Sequence, residues 1–154
     1  MKAVFADTFF YQALLDQRDP AHDRALEQSK IKQTILTTEF VLLELGNACA
    51  YAEDHADFLA LLAGIRASPR TRIVPLDSRL LQRGLDLFAE RPDKNSSLTD
   101  CASFVVMKDE GLTEALTGDN HFVQAGFKAF TGLGANPACL PAGAGVYSTQ
   151  HDRA

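Results

Sequence analysis

The chain has 154 residues, 46% hydrophobic and 23% charged, which suits one globular domain with a sizeable core. Its net charge of −5 argues against a surface coated in basic charge for non-specific nucleic-acid binding, although an enzyme acting on nucleic acid stays open. The three cysteines (Cys49, Cys101 and Cys139) are widely spaced and form no CxxC pair, which argues against structural zinc and against a disulfide scaffold.

The N-terminal region carries no secretory pattern, because Asp7 interrupts its only apolar run. No stretch reaches the roughly 18 apolar residues that a membrane span needs. We therefore expect a cytoplasmic protein without a membrane segment.

Short hydrophobic runs alternate with amphipathic segments through the first 130 residues, which predicts strands that alternate with helices. The predicted strands cover 2–6, 34–37, 72–76, 114–117 and 127–130, and Pro75 marks the end of its strand or an edge position. The predicted helices cover 8–16, 20–29, 38–53, 55–67, 77–90, 97–110 and, as a short helix, 118–126.

This alternation predicts an α/β fold in which helices cover both faces of a parallel sheet. The sequence contains no internal repeat, coiled-coil heptad or second domain. We expect one domain over residues 1–131, followed by a tail at 132–154 that is rich in glycine and proline. A tether, an edge cover and disorder all remain open for this tail.

Three aspartates stand at predicted strand ends or helix starts. Asp7 and Asp119 each follow a strand, and Asp100 lies in the first turn of a helix, in a variant of the capping box with Ser97. Ligands of open α/β sheets bind outside the carboxyl ends of the strands, so these acids are expected at one edge. The alternative is that each acid only caps a helix or favours its dipole.

Glu44 is the least ordinary acid of the chain. In the predicted third helix its neighbours on the same face are Phe40, Val41 and Ala48, which places it on an apolar stripe. A buried carboxylate is costly unless it is paired or bound to a cation. The alternative is a glutamate at the rim of the stripe whose tip reaches water.

Four converging carboxylates would repel one another and raise some pKa values unless a cation neutralised them. Oxygen ligands suit Mg²⁺ or Mn²⁺, and such an ion promotes phosphodiester hydrolysis by lowering the pKa of water and stabilising the leaving oxygen. The chain lacks the GxxxxGK, GxSxG and HExxH motifs of rival chemistries. We interpret His121 as an ordinary residue of the short helix.

The ordered set VFADTFF, TTEFVLLELGNA, SLTDCASFVV and LTGDNHF resembles the PIN-domain ribonucleases, and within them the VapC-type toxins of bacterial toxin–antitoxin pairs. The resemblance covers about residues 1–130. It implies a three-layer α/β/α domain with a short central parallel sheet. It also implies an endoribonuclease that depends on Mg²⁺ or Mn²⁺ and uses metal-activated water, frequent homodimers, and inhibition by an antitoxin partner.

Carried over by position, the resemblance implies an acidic site formed by Asp7, Glu44, Asp100 and Asp119. Asp7 and Asp100 would be direct metal ligands, and Glu44 and Asp119 would hold a second ion or a metal-bound water. Thr8 and Thr117 match hydroxyl positions that support the acids, although both also read as plain threonines at strand ends.

Two other functions remain open at this point. A non-catalytic module of the same fold would receive a basic partner peptide in its acidic pocket. A receiver-like phosphoacceptor domain also uses an acidic pocket, but the chain lacks an early adjacent pair of acids and a convincing late lysine after a strand. Basic residues beside two predicted loops are left without an assigned role: Arg66, Arg70, Arg72, Arg91 and Lys94.

Overall fold

The computed structural model describes residues 2–130, and the predicted tail at 132–154 lies outside them. Within residues 2–130 the chain forms five strands: β1 (Ala3–Ala6), β2 (Thr34–Thr38), β3 (Thr71–Val74), β4 (Glu114–Leu116) and β5 (Lys128–Ala129). The same residues form seven α-helices: α1 (Thr8–Leu15), α2 (His22–Lys30), α3 (Glu39–Ala48), α4 (His55–Ala67), α5 (Ser78–Glu90), α6 (Leu98–Asp109) and α7 (Asn120–Gln124). None of these helices combines the length and the apolar character that crossing a bilayer requires.

The strands of this part of the chain form one parallel sheet in the order β3-β2-β1-β4-β5. Val4, Phe5 and Ala6 of the central strand are fully buried, as expected for a strand covered by helices on both faces. The predicted α/β fold with a short parallel sheet is therefore confirmed. The prediction for Pro75 is also confirmed, since β3 is an edge strand and ends at Val74.

The order of the strands creates a switch point between β1 and β4. From β1 the chain builds outwards to β3 and then returns to pair β4 with the free side of β1. Asp7, directly after β1, donates its backbone N–H to the carbonyl of Leu116 at 3.3 Å. The segments that follow β1 and β4 therefore lie side by side, where sheets of this kind bind ligands.

Aromatic packing fixes the elements around this edge relative to one another. Phe122 of α7 lies with its ring centroid 6.2 Å from Phe5 of β1 and 5.0 Å from Phe104 of α6, the second pair edge to face. All three side chains are fully buried. Because each buried aromatic ring removes a large apolar area from water, this cluster holds β1, α6 and α7 together.

The predicted helix over 38–53 is wrong at its C-terminal end, because α3 ends at Ala48 and a 3₁₀ turn, Ala52–Asp54, leads into α4. Close packing between the two helices explains the difference. A Cβ atom at Gly46 would lie 3.2 Å from the ring of Phe58, so α4 packs tightly against the last turn of α3. The chain must turn to make this contact, and packing overrides the helix propensity of the alanines nearby.

Candidate active site

Asp7 is a buried carboxylate at the end of the central strand, with 4% of its surface exposed. It occupies the N-cap position of α1 but makes no side-chain capping hydrogen bond there. Its Oδ2 instead accepts a hydrogen bond of 2.9 Å from the hydroxyl of Thr117. Helix capping therefore does not account for the carboxylate of Asp7.

Thr117 links the chain segments that follow β1 and β4. Besides donating to Asp7, its Oγ1 accepts a hydrogen bond of 3.0 Å from the backbone N–H of Asp119, and the residue is fully buried. This geometry fits a residue that supports the acids, as the resemblance implies. The hydroxyl of Thr8 is also buried, but it has no hydrogen-bond partner within residues 2–130.

Asp100 forms the predicted capping box at the start of α6. Its Oδ2 accepts from the backbone N–H of Ser97 at 2.8 Å, and its own N–H donates to the hydroxyl of Ser97 at 3.1 Å. The same Oδ2 lies 3.6 Å from Nδ1 of His121 on α7. The capping role and a place in the acidic cluster are thus compatible, and the structure shows both for this side chain.

Asp119 caps α7 and at the same time contacts His121. Its Oδ1 accepts from the backbone N–H of His121 at 2.8 Å and lies 2.9 Å from the Nδ1 atom of that residue. One ligand atom from each of Asp100, Asp119 and His121 lies within 4.8 Å of the others. The sequence analysis interpreted His121 as an ordinary residue of the short helix and did not place it beside Asp100; its position two residues after Asp119 was the available signal.

Glu44 lies on α3 and is half-buried. Its Oε2 is buried without a hydrogen-bond partner among the residues that the structure describes. The charge of Glu44 raises the pKa of Asp100, which places the two side chains in the same electrostatic environment. A buried carboxylate oxygen without a partner is costly, so its presence here favours a bound cation or an ordered water.

Burial and neighbouring charges raise the pKa values of Asp7 and Asp100. The pKa of Asp7 is raised from 3.8 to about 8, chiefly by burial and also by the charges of Asp100 and Asp119, while the hydrogen bond from Thr117 opposes the shift. The pKa of Asp100 is raised to about 6, chiefly by burial and also by the charges of Asp119 and Glu44, while the hydrogen bond from the Ser97 N–H opposes the shift. Asp7 and Glu44 therefore lie near enough to Asp100 to interact with it through space, while the compact group of possible ligand atoms within residues 2–130 consists of Asp100, Asp119 and His121.

The raised pKa values indicate that, within residues 2–130, the site lacks a positive charge that would stabilise its carboxylates. Without a cation, burial and the neighbouring charge of Asp100 favour the protonated form of Asp7, whose pKa is raised to about 8. A divalent cation reverses that preference and matches the carboxylate oxygens, which are hard ligands. Glu44 acts electrostatically on Asp100 and has a buried carboxylate oxygen without a partner within residues 2–130, so the residues present fit the ion.

Comparison with known proteins gives a family and a relative. The family model for the PIN domain matches residues 4–128. The 23S rRNA-specific endonuclease VapC20 of Mycobacterium tuberculosis is 28% identical over 125 residues, which are 80% of this chain and 95% of VapC20.

Solved structures show the same architecture. The crystal structure of M. tuberculosis VapC20, a sarcin-ricin loop cleaving toxin, matches with a TM-score of 0.73 and 27% identity, covering 81% of this chain and 96% of that one. VapBC2 from Rickettsia felis, bound to a promoter DNA fragment, matches with a TM-score of 0.60 and 14% identity over 82% of this chain and 96% of that one. FitAcB from Neisseria gonorrhoeae matches with a TM-score of 0.58 and 20% identity over 89% and 99%. The last two likenesses support the fold alone.

Proposed function

The chain belongs to the PIN domain family, and from that premise we propose that it is an endoribonuclease that depends on Mg²⁺ or Mn²⁺ and acts as the toxin of a toxin–antitoxin pair. The observation that carries the proposal is that Asp7, Asp100 and Asp119 lie together at the β1–β4 edge. The hydroxyl of Thr117 bonds the Asp7 carboxylate and the backbone N–H of Asp119, and the charges of Asp100 and Asp119 both raise the pKa of Asp7. Similarity to VapC20, an RNA endonuclease, supports RNA as the substrate.

In this proposal the nuclease domain covers residues 1–131, and Asp7, Glu44, Asp100 and Asp119 hold the ion. A divalent ion at this position supplies a water of lowered pKa and stabilises the oxygen that leaves the phosphorus. Such an ion would also favour the charged form of Asp7, whose pKa is raised to about 8 by burial and the neighbouring acids.

The chain's own residues position the reaction. Thr117 fixes the direction of the Asp7 carboxylate by donating a hydrogen bond to its Oδ2. Oε2 of Glu44 has no partner within residues 2–130, so it is available to hold a second ion or a water bound to the ion. The aromatic cluster of Phe5, Phe104 and Phe122 holds β1, α6 and α7 in place, so the acids need little rearrangement during the reaction.

The first experiment tests cleavage itself. Purified protein is incubated with total RNA and with intact ribosomes, in Mg²⁺, in Mn²⁺ or in chelator, and 23S rRNA is examined first because VapC20 acts on it. We expect cleavage that needs the ion and that Asp7→Asn abolishes while the fold survives. The matched control is Asp86→Asn, which makes the same chemical change at an exposed position on α5. Failure of the wild type to cut any RNA with either ion contradicts the proposal.

The ends of the products test the attacking group. Attack by water leaves a phosphate monoester on one product and a hydroxyl on the other, and it still proceeds when the 2′-hydroxyl at the cleaved position is replaced by hydrogen. In ¹⁸O-labelled water, one labelled oxygen enters the phosphate. A 2′,3′-cyclic phosphate would instead show attack by the RNA itself, and the proposed use of water would be wrong.

We further propose a homodimer in the cytoplasm, and an antitoxin protein as its partner, because VapC20 is a toxin. A small protein encoded beside this chain should co-purify with it and suppress its RNA cleavage. The alternative, a binding module that receives a basic peptide in the acidic pocket, predicts partner binding without any cleavage by the free protein. Binding that persists in chelator and in Asp7→Asn, with an inactive wild type, would favour this alternative.

A further inference from the structure

His121 directs one ring nitrogen at two carboxylates. Its Nδ1 lies 2.9 Å from Oδ1 and 3.1 Å from Oδ2 of Asp119, and 3.6 Å from Oδ2 of Asp100. About a quarter of the side chain is exposed, at 28%, so the ring stands at the wall of the cluster and not free in solvent. Asp100 belongs to α6 and Asp119 is the N-cap residue of α7, and the imidazole lies beside both carboxylates.

The position of the ring is set by the structure around it. The backbone N–H of His121 is held by the Asp119 carboxylate at 2.8 Å. The next residue, Phe122, is fully buried between Phe5 and Phe104. Because Asp119 binds the N–H of His121 and the core holds the ring of Phe122, α7 cannot rotate without losing these contacts. The imidazole therefore faces the acids as a consequence of the fold.

The distances match those between neighbouring ligands of one ion. Ligand atoms at about 2.1 Å from an octahedral ion, at right angles to each other, are about 3.0 Å apart. The measured separations from Nδ1 begin at 2.9 Å and reach 3.6 Å. An ordinary ion pair between His121 and Asp119 explains the shortest contact, but it does not require the same nitrogen to face Asp100 on another helix.

We propose that Nδ1 of His121 is a direct ligand of the divalent ion, together with Asp100 and Asp119. The site then has a mixed nitrogen and oxygen donor set in place of oxygen alone. Imidazole binds first-row transition ions better than Mg²⁺, so this ligand shifts the preference of the site towards the transition ions. The inference deepens the proposed function and rests on it, since it concerns the ion of the same site.

The experiment uses Mn²⁺ as the probe with the full chain. Electron spin echo envelope modulation detects nitrogen bonded to Mn²⁺, and labelling the histidines with ¹⁵N changes that signal. Bound Mn²⁺ is counted in parallel from the loss of the free-ion EPR signal, and Mg²⁺ is measured by competition. The variant His121→Ala is compared with His55→Ala, which removes an exposed imidazole from the start of α4.

We expect a histidine nitrogen signal in the wild type and in His55→Ala, and its loss in His121→Ala. Affinity for Mn²⁺ should fall about tenfold or more in His121→Ala, with a smaller change for Mg²⁺. Bound Mn²⁺ without a nitrogen signal in the wild type overturns the role of His121 and leaves the nuclease proposal standing. A nitrogen signal that survives in His121→Ala overturns the inference too. Absence of any bound Mn²⁺ removes the proposed metal site together with this ligand.

Discussion

Replacing Asp7 by asparagine should make the metal-free protein more stable while it destroys activity. The structure gives the reason, because Asp7 is buried beside Asp100 and its pKa is raised from 3.8 to about 8. When a carboxyl group binds its proton more tightly in the folded than in the unfolded protein, the free energy of unfolding falls as the pH rises. Asparagine keeps a neutral side chain of similar shape and can still accept the hydrogen bond from Thr117.

The magnitude follows from linkage between protonation and folding. The pKa of Asp7 is higher in the folded than in the unfolded protein. The loss of folding stability caused by ionising Asp7 is therefore absent below about pH 4, grows between about pH 4 and pH 8, and is constant above that range. Asp7 alone accounts for up to about 4 kcal/mol at pH 7, and relaxation of the site reduces this value. We expect Asp7→Asn to exceed the wild type by ~1–3 kcal/mol at pH 7, and by much less at pH 5.

Urea unfolding in chelator, followed by circular dichroism at several pH values, measures this difference. The exposed Asp86→Asn variant should differ from the wild type by the same small amount at every pH. An Asp7→Asn protein that is less stable than the wild type at pH 7, or a difference that does not grow with pH, would refute the reasoning. Such a result would mean that the carboxylate of Asp7 is well solvated in the folded protein.

Three further predictions concern the same edge of the sheet. Mg²⁺ or Mn²⁺ should raise the melting temperature of the wild type, and more at pH 7.5 than at pH 5.5, since the ion replaces the proton of Asp7; thermal melts with equal ion concentrations check this. Thr117→Val should cost ~1–3 kcal/mol in urea unfolding and reduce cleavage, because two buried hydrogen bonds lose their shared hydroxyl. Gly118→Ala should destabilise by ~1–3 kcal/mol, since its Cβ would lie 2.5 Å from the ring of Phe9, whereas Gly64→Ala, with open space at its Cβ, should gain up to about 1 kcal/mol.

The fold was largely predictable because its signals are local. Each strand is a short apolar run and each helix an amphipathic one, and the capping box of Ser97 with Asp100 marks the start of α6 correctly. The end of α3 was not predictable from local sequence. It depends on the contact between Gly46 of α3 and Phe58 of α4, which forms only when the two helices pack together.

The site was predictable to the extent that topology determines it. Asp7 and Asp119 follow neighbouring parallel strands, so the sheet brings their backbones together whatever the side chains do. The direction of a ring or a carboxylate depends on packing, which spacing does not reveal, so the sequence did not show that the ring of His121 faces Asp100 and Asp119. The catalytic and metal-binding roles of Asp7, Glu44, Asp100 and Asp119 stay predictions, as does the domain boundary at residue 131.

A single oxygen atom, Oδ2 of Asp100, both closes the first turn of α6 and faces His121 across the cluster. The order of the first turn of α6 and the binding of an ion to the cluster are therefore linked equilibria. A group in the cluster that attracts this oxygen also changes the strength of its hydrogen bond to the Ser97 N–H. Amide hydrogen exchange at Ser97 and Asp100 would therefore act as a built-in reporter of what occupies the cluster, readable without any RNA present.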